Sequence, residues 1–194
     1  MTKRVAVAAL AVVLAGCGYN RIQTLDEQAN AFKSQIQVQL QRRADLVPNL
    51  VATVKGYAQQ EQTIFLGVAD ARAKLAGAVQ GGNLAQMADA NQGLTSALSR
   101  LLAIQENYPQ LKSDQNFRSL QDQLEGTENR IATAREDYNA AVQAYNSYIR
   151  TFPQVLTAKL IGKGPREYFQ LTTAAAAAVP QVDFSQPAEG KKGQ

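Results

Sequence analysis

The one thiol in this chain, Cys17, ends the run Leu14-Ala15-Gly16-Cys17. Small residues just before a cysteine suit a bacterial lipoprotein signal peptidase, after which the cysteine sulfur carries lipid. Lys3 and Arg4 supply a positive leader, and residues 5–14 form an unbroken apolar run. That run has signal-peptide length and is too short to span a bilayer. The expectation is cleavage between Gly16 and Cys17, with residues 1–16 removed and Cys17 lipidated. An ordinary secretory signal followed by a chance cysteine is the alternative; the only cysteine standing at the processing position favours lipidation. Each buried methylene contributes roughly 0.8 kcal/mol, so one acyl chain holds weakly and two or more hold stably. The first expected partner is thus a membrane, reached through lipid on Cys17. Gly18, where many inner-membrane lipoproteins carry aspartate, points to the outer membrane if the cell has two membranes.

Little other chemistry is available. The chain has no histidine, which removes the commonest general base near neutral pH and the commonest ligand for zinc, copper or iron. With Cys17 spent on lipid there is no disulfide and no free thiol, so no redox or cysteine-nucleophile chemistry is expected. The acids sit beside bases or amides in helical patterns, so no catalytic residue, cofactor site or metal site is expected. Gly162-Lys163-Gly164 lacks the glycine spacing and the following Lys-Ser or Lys-Thr of a phosphate loop. Of twenty basic residues, Lys3 and Arg4 lie in the leader, leaving eighteen against sixteen acidic ones. That near balance creates no field for nucleic acid.

The elements that must position these groups are helices. Phe117, Leu124, Ile131, Tyr138, Tyr145 and Phe152 recur every seven residues, interleaved by Leu120, Thr127, Ala134, Ala141 and Tyr148. This is a sustained bundle seam, started by Ser113-Asp114 and stopped by Pro153. A second stripe runs through Leu84, Met87, Leu94, Leu98, Leu101, Leu102 and Tyr108, bounded by Gly81-Gly82-Asn83 and Pro109. Val47, Leu50, Val54, Tyr57, Ile64, Val68, Ala71, Leu75 and Ala78 make a third, and Ile22, Leu25, Ala29, Phe32, Ile36 and Leu40 a fourth. Pro48 forces either a turn or a kink between those last two. A turn is preferred, because four antiparallel helices bury all four stripes.

The predicted architecture is therefore all-α: an elongated antiparallel four-helix bundle over residues 17–152, with a C-terminal helical extension over residues 153–184. Within the extension, Leu156, Leu160 and Ile161 suggest one short helix, and residues 167–178, with five consecutive alanines, suggest another. Residues 185–194 read as a disordered tail.

Two constellations invite function. Arg42, Arg43, Asp45 and Asn49 beside Pro48 could form a recognition corner for a partner. The competing reading, which is preferred, has Asp45 capping a helix and the arginines pairing locally. Tyr138-Asn139 and Tyr145-Asn146 repeat one heptad apart, and their place on the seam favours core use over ligand binding. Glu61 and Arg43 near seam positions suggest an interhelical ion pair.

The block IQVQLQRRADLVPNLVATVKGYA at residues 36–58 resembles the signature of the LemA family. It is joined by Glu106-Asn107-Tyr108-Pro109-Gln110-Leu111-Lys112, by Phe117-Arg118-Ser119-Leu120-Gln121 and by Ala134-Arg135-Glu136-Asp137-Tyr138-Asn139. The resemblance implies an elongated helical bundle at a membrane, without an established catalytic activity. Gln41 and Ala44 depart from the lysine and aromatic residue usual there, and the short run ending in Cys17 departs from the transmembrane helix of many members. The leading expectation is a non-enzymatic, lipid-anchored scaffold or adaptor of the bacterial envelope that binds envelope proteins. A binding module for a small ligand or envelope polymer is the alternative, and a carboxylate enzyme is the least favoured reading.

Overall fold

The structure, a computed structural model, describes the backbone of residues 2–170 and the side chains of residues 18–170. The side chains of residues 1–17, with the expected leader and Cys17, and residues 171–194, with the alanine run and the expected disordered tail, lie outside the described residues. The elements are α1 (Thr2–Lys55), α2 (Gln62–Gly81), α3 (Leu84–Ala103), a 3-10 turn (Ile104–Glu106), α4 (Pro109–Ser113), α5 (Gln115–Arg150) and α6 (Gln154–Leu160). No strand occurs among the described residues. The all-α expectation holds.

The scaffold is an antiparallel pair of long rods, α1 and α5. Arg43 meets Glu128, Tyr57 meets Asp114, and Ile22 and Leu25 pack with Tyr145 and Ile149, which fixes the antiparallel sense. At about 1.5 Å per residue, the 36 residues of α5 extend roughly 54 Å. One seam of this pair is covered along its length in two parts. Near the C-terminal end of α1, the α2–α3 hairpin covers it. Near residues 22–30, α6 and the segment after it do so. Phe117, Leu124, Ile131, Tyr138 and Tyr145 are all buried, as their seven-residue spacing requires.

The helix boundaries follow local chemistry. Asp114 accepts from Phe117 N–H at 2.8 Å and starts α5, and Asn83 accepts from Gln86 N–H at 2.9 Å and starts α3. Gly82, at φ 67°, closes α2 in a left-handed cap that a side chain would strain.

The expected turn at Pro48 is not there. α1 runs through Pro48 unbroken, and the chain instead leaves the helix at Gly56-Tyr57. Proline cannot donate to the carbonyl four residues back, which is that of Ala44. That oxygen accepts a hydrogen bond from Arg72 Nε of α2 at 2.9 Å. A side chain from a neighbouring helix thus replaces the missing backbone donor, and the helix carries on. Asp45 consequently caps nothing; it accepts from Gln41 Nε2, one turn back, at 2.8 Å.

This compensation predicts a coupled pair. Arg72→Met should destabilise the protein by about 1–2 kcal/mol, the cost of an orphaned buried acceptor. In a Pro48→Ala background, where the backbone N–H returns, the same substitution should cost a few tenths of that. Urea unfolding of the four proteins in the cycle measures the coupling; additive effects would refute the compensation.

Candidate functional site

The predicted corner comes apart. Arg43 lies in the interior, donating to Asn91 Oδ1 of α3 at 2.8 Å and pairing with Glu128 of α5. Burial pulls its pKa down, and the Glu128 carboxylate pushes back. The interhelical pair expected of Arg43 exists, but with Glu128 and not Glu61, which stands at the start of α2. Arg42, Asp45 and Asn49 face solvent on one stripe of α1. Residues next to each other in sequence point to opposite sides because successive residues in a helix rotate by about 100°.

The Tyr-Asn repeat builds a continuous polar arrangement along α5. After α6, Gly162 at φ 69° reverses the chain, and residues 163–170 run back along α5 as an extended strap. Asn146 Nδ2 donates to the carbonyl of Arg166 at 2.9 Å, and its Oδ1 accepts from the same residue's N–H at 2.8 Å. Asn139 does the same for Phe169, at 3.1 and 2.8 Å. Tyr138 and Tyr145 hydroxyls donate to the carbonyls of Glu167 and Gly164 at 2.9 and 3.1 Å.

The spacing explains the fit. Seven residues of helix rise about 10.5 Å, and three residues of extended chain span about 10 Å. Residues 139 and 146 therefore match residues 169 and 166. Each asparagine satisfies one strap residue's backbone on both sides, as a neighbouring strand would. The predicted helix over residues 167–178 is corrected on its first four positions, which are extended; the rest lies outside the described residues. Tyr138 and Tyr145 are core, as expected, and burial raises both phenol pKa values.

Asp26 of α1 closes the strap. It accepts from Lys163 Nζ and Arg166 Nε, each at 2.7 Å, while Arg166 Nη2 reaches Asn30 Oδ1 at 2.8 Å. Burial alone would raise the carboxyl pKa, but the hydrogen bonds from Arg166 and Lys163 outweigh it and hold Asp26 below its ordinary value. Phe169 seats in the main core with the Arg135 guanidinium 4.8 Å from its ring centre. Sequence reading missed the strap. The signal was present in two seam tyrosines each followed by an amide, with Lys163 and Arg166 three residues apart downstream.

At the far end of the rods two distant motif blocks meet. Gly56 and Tyr57 after α1, with Asn107, Tyr108, Pro109 and Gln110 around the start of α4, line a cleft of about 440 Å³. Tyr57 Oη donates to Asp114 Oδ2 at 2.8 Å, which raises the phenol's pKa, while the Phe117 N–H and then this hydroxyl hold the carboxyl below its usual value. A wider groove of about 680 Å³ opens between α2 and α3, floored by Gly67, Ala71, Ala90, Gly93 and Ala97. A Cβ at Gly67 or Gly93 would meet nothing within 4 Å. No three metal-ligating side chains gather among the described residues.

The described residues thus form an elongated helical bundle with a buried apolar core and open surface clefts. The chain belongs to the LemA family, which it matches over residues 32–184. It is similar to magnetosome protein MamQ 1 and MamQ 2 of Paramagnetospirillum magneticum, each 34% identical over 177 aligned residues. It is 31% identical over 174 residues to magnetosome protein MamQ of Magnetospirillum gryphiswaldense. In each case 78% of this chain is covered, and the chain spans 64% of the relative's length. Among the described residues no helix is long and apolar enough to cross a membrane.

Proposed function

We propose that this protein is a lipid-anchored, non-enzymatic scaffold or adaptor at a bacterial membrane, presenting a partner-binding tip away from the lipid surface. The observation that carries this reading is the polarity of the α1–α5 pair. Cys17 precedes Gly18, which packs on α6 where the α1–α5 pairing begins, and the Tyr57–Tyr108 cleft lies at the other end of that pair. The 39 residues of α1 between them correspond to about 58 Å of helix. Relatives named as magnetosome proteins support work at a bacterial membrane. Filled seams and open surface clefts favour protein contacts over a small-ligand pocket. Arg42, Asp45 and Asn49 remain a proposed secondary contact stripe on α1, with Arg43 excluded by its burial. Residues 17–152 as the anchored bundle and residues 1–16 as a signal peptide are part of the same proposal, as is residence in the outer membrane where two membranes exist.

Palmitate labelling with membrane fractionation tests the anchor. The wild-type chain should label and sediment with membranes, while Cys17→Ala should do neither. Labelling of the variant, or an unlabelled wild-type chain in the soluble fraction, would overturn the lipidation reading. A photo-crosslinking residue at Tyr108 should capture an envelope protein that the same residue at Thr133 on α5 does not. Equal capture at both positions would remove the tip from the account.

A further inference from the structure

The end of the rod next to Cys17 carries an apolar patch that nothing among the described residues covers. Leu156 and Leu160, one turn apart on α6, and Phe152, in the turn between α5 and α6, are 58%, 86% and 79% exposed. On α6 the opposite face is spent: Ala158 is buried against Ile22, Leu25, Tyr145 and Ile149. Leu156 and Leu160 are therefore not the inward side of an amphipathic helix. They are a second, outward apolar face on a seven-residue helix, of a kind that soluble surfaces rarely keep without a use.

Position and charge say what covers this face. Gly18, the residue after Cys17, is buried against α6, where a Cβ would lie 3.5 Å from Gln154 Cγ and 3.7 Å from Thr157 Oγ1. The patch thus sits where the chain emerges from its apolar leader. The sequence carries no acid before Asp26 and none between Asp137 and Glu167. Asp26 itself is neutralised by Lys163 and Arg166. The exposed charges within the two acid-free stretches are the cations Arg21, Arg150 and Lys159, and Glu27, beyond Asp26, is the first exposed acid on α1. Apolar side chains with cations beside them are the composition of an interfacial membrane contact, where the apolar face enters the acyl boundary and the cations meet anionic headgroups.

We propose that Phe152, Leu156 and Leu160 insert into the lipid surface, with Arg21, Arg150 and Lys159 on anionic headgroups, giving the rod a second attachment beside its N-terminal anchor. Two attachments fix an orientation, which a single flexible tether does not. The inference rests on the membrane attachment proposed above, but not on whether lipid or the apolar leader provides it.

The chain has no tryptophan, so one introduced indole reports alone. The full-length protein with Leu160→Trp is floated with vesicles of phosphatidylglycerol and acyl-brominated phosphatidylcholine. Its emission should shift to the blue and lose roughly half its intensity or more, since an interfacial side chain lies about 5–10 Å into the boundary. Val38→Trp, on an exposed position of α1, should be neither shifted nor quenched. Adding Leu156→Glu to Leu160→Trp should return the emission toward that of Val38→Trp, with an unchanged melting temperature because both sites are exposed. A protein that fails to float sinks the attachment reading and this inference with it. A protein that floats with Leu160→Trp as unquenched as Val38→Trp, or with quenching indifferent to Leu156→Glu, sinks this inference alone.

Discussion

Asn139→Ala with Asn146→Ala should release the C-terminal strap while leaving α5 helical. Each asparagine provides two hydrogen bonds to strap backbone. At about 1 kcal/mol net per bond, with added cost for orphaned backbone groups, each single change should cost roughly 2–3 kcal/mol. The pair should cost about 4 kcal/mol, less than additive, because once the strap lifts the second asparagine has nothing left to hold. Hydrogen exchange read by mass spectrometry should then show fast exchange over residues 164–169 and unchanged protection through the centre of α5. Tyr145→Phe, which removes one hydroxyl donor, should cost about 1 kcal/mol and leave the strap in place. Slow exchange at Arg166 and Phe169 in the double variant would refute the assigned role of the asparagines.

Acid should act on the same strap through Asp26. Its carboxyl titrates lower in the folded protein than in the unfolded chain, whose value is near 3.8. The stabilisation it gives is therefore complete above that value and is lost as pH falls below it toward the folded pKa. Strap protection should weaken in that acid window, and Asp26→Asn should remove the pH dependence there while lowering protection at neutral pH.

The second large effect is expected at Arg43. Removing its acidic partner with Glu128→Ala leaves a guanidinium in the interior with Asn91 as its named hydrogen-bond acceptor. Breaking a fully buried pair costs about 3–5 kcal/mol. The Glu128 side chain is 45% exposed, so water softens the loss and roughly 2–3 kcal/mol is expected. Arg43→Met, which fills similar volume without charge, should cost less than Glu128→Ala although it deletes the same ion pair. The two variants separate attraction from desolvation: if the pair itself held the bundle together, they would cost the same. Guanidinium chloride or urea midpoints at fixed m-value decide between them.

These two sites differ in how visible they were beforehand. The heptad at Phe117, Leu124, Ile131, Tyr138 and Tyr145 announced α5 and its buried face, because period and burial are the same fact in a long helix. Gly82 and Asn83 announced the hairpin turn, and Asp114 the start of α5, because a left-handed glycine and a side-chain cap act within four residues. The family was legible too, since its blocks are contiguous in sequence. Convergence of Tyr57 with Tyr108 at one tip was not, because fifty residues of hairpin intervene.

What the residues alone determined was whatever acts locally: helices, their polarity, their seams, and the absence of histidine. What the tertiary structure decided was every outcome in which a distant group substitutes for a local one. Pro48 breaks a helix in isolation, yet Arg72 supplies the donor that proline lacks, so α1 continues. Residues 167–170 read as the start of a helix, yet Asn139 and Asn146 offer their backbone a partner of better fit, so they lie extended. Arg43 read as an interhelical partner of Glu61 or as part of a corner at Pro48, yet Asn91 and Glu128 are the partners it finds within the bundle. In each case the local preference amounts to a few kcal/mol or less, and a hydrogen bond from another helix is enough to reverse it.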